Sequence, residues 1–145
     1  MFFKKKPLVS AADDTRLINA IKSAENKTSG EIRVHIDKIC KGDPLDECKK
    51  KFAQLNMHQT KDRNGILFYL AIESRSFAVW GDEGIHQKVT DEFWKSITNC
   101  AISHFKKNEL ITGIEKAVEL CGEKLKLYFP LEADDKNELS NTISY

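Results

Sequence analysis

Along the chain, the spacing of apolar residues switches repeatedly between the helical and the strand period. Leu17, Ile18, Ile21 and Ala24 keep helical spacing to about Asn26, and Ser10 with Asp13 three residues later supplies the start signal. Thr28-Ser29-Gly30 breaks the pattern. Glu31 to Asp37 then alternates strictly, with Ile32, Val34 and Ile36 on one face and Arg33, His35 and Asp37 on a wetter one. That is a strand. Asp43-Pro44 opens a second helix, an N-cap followed by proline at the first helical position. Leu45, Cys48, Phe52 and Leu55 form its stripe, which ends near Met57.

Ile66 to Ile72 is apolar on both faces, as a central strand covered on both sides must be. Glu73-Ser74-Arg75 is a polar turn, and Ser76 to Trp80 closes a hairpin. Thr90 starts a third long helix with Phe93, Trp94, Ile97, Ala101 and Phe105 inward. Asn108-Glu109 starts a fourth, carrying Leu110, Ile114, Ala117, Val118, Cys121, Leu125 and Tyr128 until Pro130 stops it. The order α-β-α-β-β-α-α predicts a single-domain α/β sandwich, a small mixed sheet flanked by helices. The expected domain runs over 1–130, and 131–145 reads as a polar, acidic, loosely docked tail.

This topology gathers the polar clusters. A helical crossover makes the first two strands parallel, and the hairpin returns the third antiparallel. Thr28-Ser29-Gly30-Glu31, Asp62-Arg63-Asn64-Gly65 and Gly81-Asp82-Glu83 should then meet at one end of the sheet. Glycines there let the backbone turn tightly or approach a ligand closely. Glu31, Asp62, Asp82, Glu83 and the amide of Asn64 are thus candidate ligands for a hard divalent cation, Ca²⁺ or Mg²⁺. The competing reading is that these are loop-forming residues whose charge Arg33 and Arg63 neutralise. One rule speaks against a site at this rim: ligands of open parallel sheets sit at the carboxyl ends of strands, and only Asp82 and Glu83 do. Asp62, Asn64 and Glu73 match three positions of an EF-hand loop, but the glycine is misplaced and the interior is a solid apolar strand, so that reading fails.

Composition narrows the class. The chain has 145 residues, is 41% hydrophobic and 31% charged, and carries a net charge of +1. It suits one soluble domain, without a nucleic-acid footprint or a membrane span. The basic start is followed by Asp13, Asp14 and Arg16 where a signal peptide would be apolar, so a cytoplasmic location is expected. Cys40, Cys48, Cys100 and Cys121 form no close pair; the last three fall on helical stripes and read as small buried thiols. Phosphate-loop, nucleophile-elbow and zinc-protease motifs are missing, and His35, His58, His86 and His104 are scattered.

Thr28-Ser29-Gly30-Glu31-Ile32-Arg33-Val34, then Asp62-Arg63-Asn64-Gly65 before an apolar strand, then Trp80-Gly81-Asp82-Glu83-Gly84-Ile85 resemble the TPM domain, the family of the thylakoid-lumen phosphatase-like proteins. Asn137-Glu138-Leu139 and Ile143-Ser144-Tyr145 look like the close of short stand-alone bacterial members. The resemblance implies a sheet between helices and a divalent cation, usually calcium, in acidic loops at the sheet end. It also implies acid phosphatase activity, described for a plant member. The family's usual glycine-tyrosine-glycine after the hairpin is replaced here by Trp80 to Gly84, and the added acid favours a cation over a phosphate.

Three functions follow. The first is a cation-binding module with a regulatory or partner-binding role. The second is a metal-dependent phosphomonoesterase in which Arg33 or Arg63 steadies the phosphate; no nucleophile stands out for it. The third is a metal-free module whose acidic rim contacts a protein partner. Asp134, Asp135 and Glu138 in the tail are candidates to complete a coordination shell.

Overall fold

The structure is a computed structural model that describes residues 7–132 and 139–145. Helix α1 spans Ala11–Glu25, strand β1 Glu31–Asp37, helix α2 Pro44–Gln54, strand β2 Gly65–Ala71 and strand β3 Ser76–Gly81. Helices α3 (Glu83–His86), α4 (Asp91–Phe105) and α5 (Leu110–Leu125) follow. The expected order holds, with one addition. The short helix α3 stands where the sequence shows only a polar cluster, because four residues are too few to display a period.

Side-chain caps act at the first two starts the sequence marks, whereas Thr90 before α4 and Glu109 before α5 make no side-chain cap bond. The Ser10 hydroxyl accepts from the Asp13 N–H at 3.1 Å, and the Asp43 carboxylate from the Asp46 N–H at 3.1 Å. Each satisfies a helix-end donor that has no partner inside the helix.

The sheet has the order β1-β2-β3. β1 and β2 pair in parallel, with Glu31 opposite Gly65 and Asp37 opposite Ala71. β2 and β3 pair antiparallel, with Ile66 opposite Gly81. All seven residues of β2 are buried. Ile66, Phe68 and Leu70 join Ile32, Val34 and Ile36 in the larger core, under α1, α4 and α5. Leu67, Tyr69 and Ala71 face the other way, against Cys48 and Phe52 of α2, with Met57 and Ala78. Strand side chains alternate between faces, so one strand serves both cores.

The end of the chain corrects two expectations. Ile143 is buried in the larger core, and Ser144 bridges in parallel to His35 of β1. The Ser144 N–H donates to the Val34 carbonyl at 2.9 Å and its carbonyl accepts from the Ile36 N–H at 2.8 Å. The last residues therefore lie on the sheet edge and are not loose. They also cover His35, which is 3% exposed although its strand face reads as wet. Cys48 and Cys121 are buried thiols as expected, whereas Cys100 is half-exposed. Leu45, placed on the inward stripe of α2, is 38% exposed. Among the described residues no helix is long and apolar enough to cross a membrane.

Helices α1 and α5 bring their backbones close together at Gly122. A Cβ there would lie 2.7 Å from the Ala24 Cα, and main chain cannot swing aside. Gly122→Ala gains up to about 1 kcal/mol of helix propensity. Overpacking costs typically about 1–3 kcal/mol, so the steric term wins. The expected outcome is a melting temperature lowered by a few degrees, measured by circular dichroism.

Candidate functional site at the amino end of the sheet

The three polar segments do meet. The Glu31 N–H donates to the Asn64 carbonyl at 3.1 Å, the Asp82 N–H to the Gly65 carbonyl at 2.9 Å, and the Gly84 N–H to the Arg63 carbonyl at 3.0 Å. These bonds extend the sheet ladders into the loops. Gly84 is required for the last one: a Cβ would collide with the Asp62 and Arg63 carbonyl oxygens. The glycine serves a close approach to the neighbouring loop.

The side chains do not form an ion cage. Arg63 sits in the left-handed region at φ 49°. Its guanidinium grips Asp82 with both arms, Nε to Oδ2 at 2.7 Å and Nη2 to Oδ1 at 2.8 Å. Nη1 reaches the Glu83 carboxylate at 3.3 Å. Asp82 Oδ1 also accepts from the Glu83 N–H at 2.8 Å and so caps α3. Asp82 is 5% exposed, so this forked pair satisfies a carboxylate that would otherwise be costly to bury. The Glu83 side chain is 64% exposed and points outward. Arg63 thus neutralises the acids here. Arg33 does not: it reaches the Thr142 carbonyl at 3.4 Å, and burial lowers its pKa.

Glu31 is buried behind the rim, and its Oε1 accepts from the Leu139 N–H at 2.7 Å. Asn64 Nδ2 donates to the Ser29 carbonyl at 3.2 Å, and the Asn64 N–H to the Thr60 hydroxyl at 3.2 Å. Both residues therefore shape loops. Among the described residues no group of three or more His, Cys, Asp or Glu side chains is placed to hold a metal ion. The set Glu31, Asp62, Asn64, Asp82 and Glu83 does not fit a cation as a unit. Asp134, Asp135 and Glu138 lie outside the described residues.

Asp62 alone of the five lines an open cleft of about 320 Å³. Ser29, Gln87, Lys88, Tyr128 and Glu132 share its walls. The Lys88 ammonium is drawn to one side, donating to the Tyr128 carbonyl at 3.4 Å and lying 4.5 Å from the centre of the Phe129 ring. Gln87 and Glu132 are absent from any sequence motif, since α3 and the turn after Pro130 are brought together only by the fold.

Glu25 is a further residue that sequence reasoning missed. It ends α1 and its Oε2 accepts from the Ile32 N–H at 2.8 Å. Burial pushes its carboxyl up to about 7, against the Ile32 hydrogen bond and with help from the Glu31 charge. A raised carboxyl pKa means that the folded state holds its proton more tightly. The stabilisation is full below about 4.5 and is lost as pH rises through about 7. At 1.36 kcal/mol per unit, the effect is on the order of 3 kcal/mol. Urea unfolding from pH 4.5 to 8 should show this decline, and Glu25→Gln, which keeps the acceptor for Ile32, should flatten it.

Comparison with known proteins now bears on this site. The family model for the TPM domain, named TPM phosphatase, matches residues 4–124. The NMR structure of BA42 protein from the psychrophilic bacterium Bizionia argentinensis is similar at 39% identity, covering 97% of each chain, with a TM-score of 0.90. The N-terminal domain of cg2496 protein from Corynebacterium glutamicum shares the fold at 17% identity and a TM-score of 0.65, covering 95% of this chain and 81% of that one. An N-terminal domain of a protein from P. gingivalis does so at 20% and 0.67, covering 84% and 79%. No curated protein matches. With a family match over most of its length, the chain belongs to the TPM domain family.

Proposed function

We propose that this protein is a divalent-cation-binding TPM module with a regulatory or partner-binding role, and that the ion seats in the cleft beside Asp62. The observation that carries this reading is the cleft's donor set. Among the lining residues, Asp62 and Glu132 carry carboxylates, Ser29 a hydroxyl and Gln87 an amide oxygen. Hard cations such as Ca²⁺ take oxygen ligands of mixed kind and fill remaining positions with water. Asp82 and Glu83 are left to Arg63, which keeps the rim rigid without the ion. A bound cation would tie the β1 entry loop, α3 and the segment after α5 together, since each contributes to the cleft. That supports a role in presenting this surface to a partner.

The test is thermal melting in EDTA, then in millimolar Ca²⁺ or Mg²⁺. An ion at about a hundred times its dissociation constant adds roughly 2.7 kcal/mol, a shift of several degrees. Asp62→Asn should lose most of that rise. Asp82→Asn should melt lower in EDTA yet keep the increment. A rise that survives Asp62→Asn moves the ion elsewhere, and no rise with either ion leaves a metal-free interaction module.

A second reading, metal-dependent phosphomonoester hydrolysis, gains support from Lys88 in the same cleft, where an ammonium beside a cation site suits a phosphoryl group. p-Nitrophenyl phosphate should then be hydrolysed only with the ion present, and Lys88→Ala should raise KM.

A further inference from the structure

The carboxyl end of β1 carries a different chemistry. His35 Nδ1 lies 2.8 Å from the Ser144 hydroxyl, and His35 Nε2 lies 2.6 Å from Asp37 Oδ1. The other Asp37 oxygen accepts from the Tyr69 hydroxyl at 2.8 Å. The Tyr69 ring stacks on the imidazole, centroids 5.9 Å apart and planes 10° from parallel. We propose that Ser144, His35 and Asp37 form a nucleophilic triad that takes acyl groups from small carboxylic esters.

The roles follow from the hydrogen-bond inventory. Burial pushes the Asp37 carboxyl up, but hydrogen bonds from His35 and Tyr69, aided by the nearby Lys51 charge, outweigh it and hold the pKa below the ordinary value. An ionised Asp37 only accepts, so His35 Nε2 carries the proton. The neutral imidazole then offers Nδ1 as an acceptor, and the Ser144 O–H donates to it. That is a hydroxyl facing a base whose tautomer is fixed by a carboxylate, the arrangement that activates serine nucleophiles. Tyr69 is a positioning residue: it orients Asp37 and stacks against the base. Burial and its bond to Asp37 raise its own pKa, so it stays a donor.

Ser144 is fixed as a nucleophile must be. Its backbone is bonded to Val34 and Ile36, Ile143 before it is buried, and the Tyr145 hydroxyl after it donates to Asp14 at 2.6 Å. Ser144 itself is only partly buried. The position also satisfies the rule that ligands of parallel sheets bind beyond the carboxyl ends of strands.

In the reaction, Ser144 Oγ bonds to the ester carbonyl carbon while its proton passes to His35 Nδ1. The carbon–oxygen bond to the alcohol breaks, and the alcohol leaves with that proton. Water then attacks the acyl-serine, gives a proton to His35, and Ser144 recovers it as the carboxylic acid departs.

The experiment is labelling of the full chain with a fluorophosphonate, which releases fluoride on bonding to an activated serine. Modified residues are mapped by peptide mass spectrometry. A general base adds about 10²–10⁴-fold, so Ser144 should be labelled at least about a hundred times faster than exposed Ser140 in the same chain. Asp37→Asn, nearly isosteric, and His35→Gln should each remove most of the advantage, and p-nitrophenyl acetate hydrolysis should vanish in Ser144→Ala. Equal labelling of Ser144 and Ser140, or none, overturns the proposal. That comparison is internal to the natural chain and decides even where a variant fails to fold.

Discussion

The burial of β2 is the constraint from which the rest of the fold follows. Every residue from Gly65 to Ala71 is inside, so every backbone N–H and carbonyl there needs a protein partner. β1 supplies one side in parallel and β3 the other antiparallel. A parallel neighbour requires a crossover, and α2 is that crossover; its Cys48 and Phe52 then cover the face formed by Leu67, Tyr69 and Ala71. The opposite face needs a wider cover, and α1, α4 and α5 provide it. The loops that enter β1 and β2 and leave β3 are thereby forced to the same end.

Gathering acids at that end creates an electrostatic problem before it creates a site. Asp82 is pulled inside because its N–H continues the β2–β3 ladder through Gly65. A buried carboxylate without a partner costs several kcal/mol. The chain answers with its own cation. Arg63 accepts a left-handed backbone at φ 49°, a strained conformation for a non-glycine residue, and two-point binding to Asp82 offsets it. A guanidinium so placed holds the carboxylates a divalent ion would have used. An ion near this rim is left with the Asp62 side, where the cleft opens.

Much of this was legible in the sequence, because the information is local. The helical period marked the four long helices, alternation marked β1, a run apolar on both faces marked β2 and a β-prone stretch after a polar turn marked β3; chain order with the crossover and hairpin rules placed the three polar segments together. What was not legible came from contacts distant along the chain. His35 reads as wet from its alternation, and it is buried because Ser144 arrives 109 residues later. Glu25 has no motif; it matters because the turn after α1 folds its carboxylate onto the Ile32 N–H. The acids were visible as a cluster, but the choice between an ion and Arg63 depended on a backbone angle that composition does not encode. Helix α3 was hidden by its length.

The Ser144 network raises a question of energy that bears on what it is for. The last residues are already anchored without it. Burying Ile143 is worth about 2 kcal/mol, and the two backbone bonds of Ser144 roughly 1 kcal/mol each. Against that, an ionised Asp37 and a buried imidazole must be desolvated, and apolar side chains at 35 and 37 would extend the β1 ladder at no such cost. A polar chain that anchoring does not need, built at the carboxyl end of a parallel pair and locked by an aromatic stack, is better explained by what its hydroxyl can do than by what it holds in place.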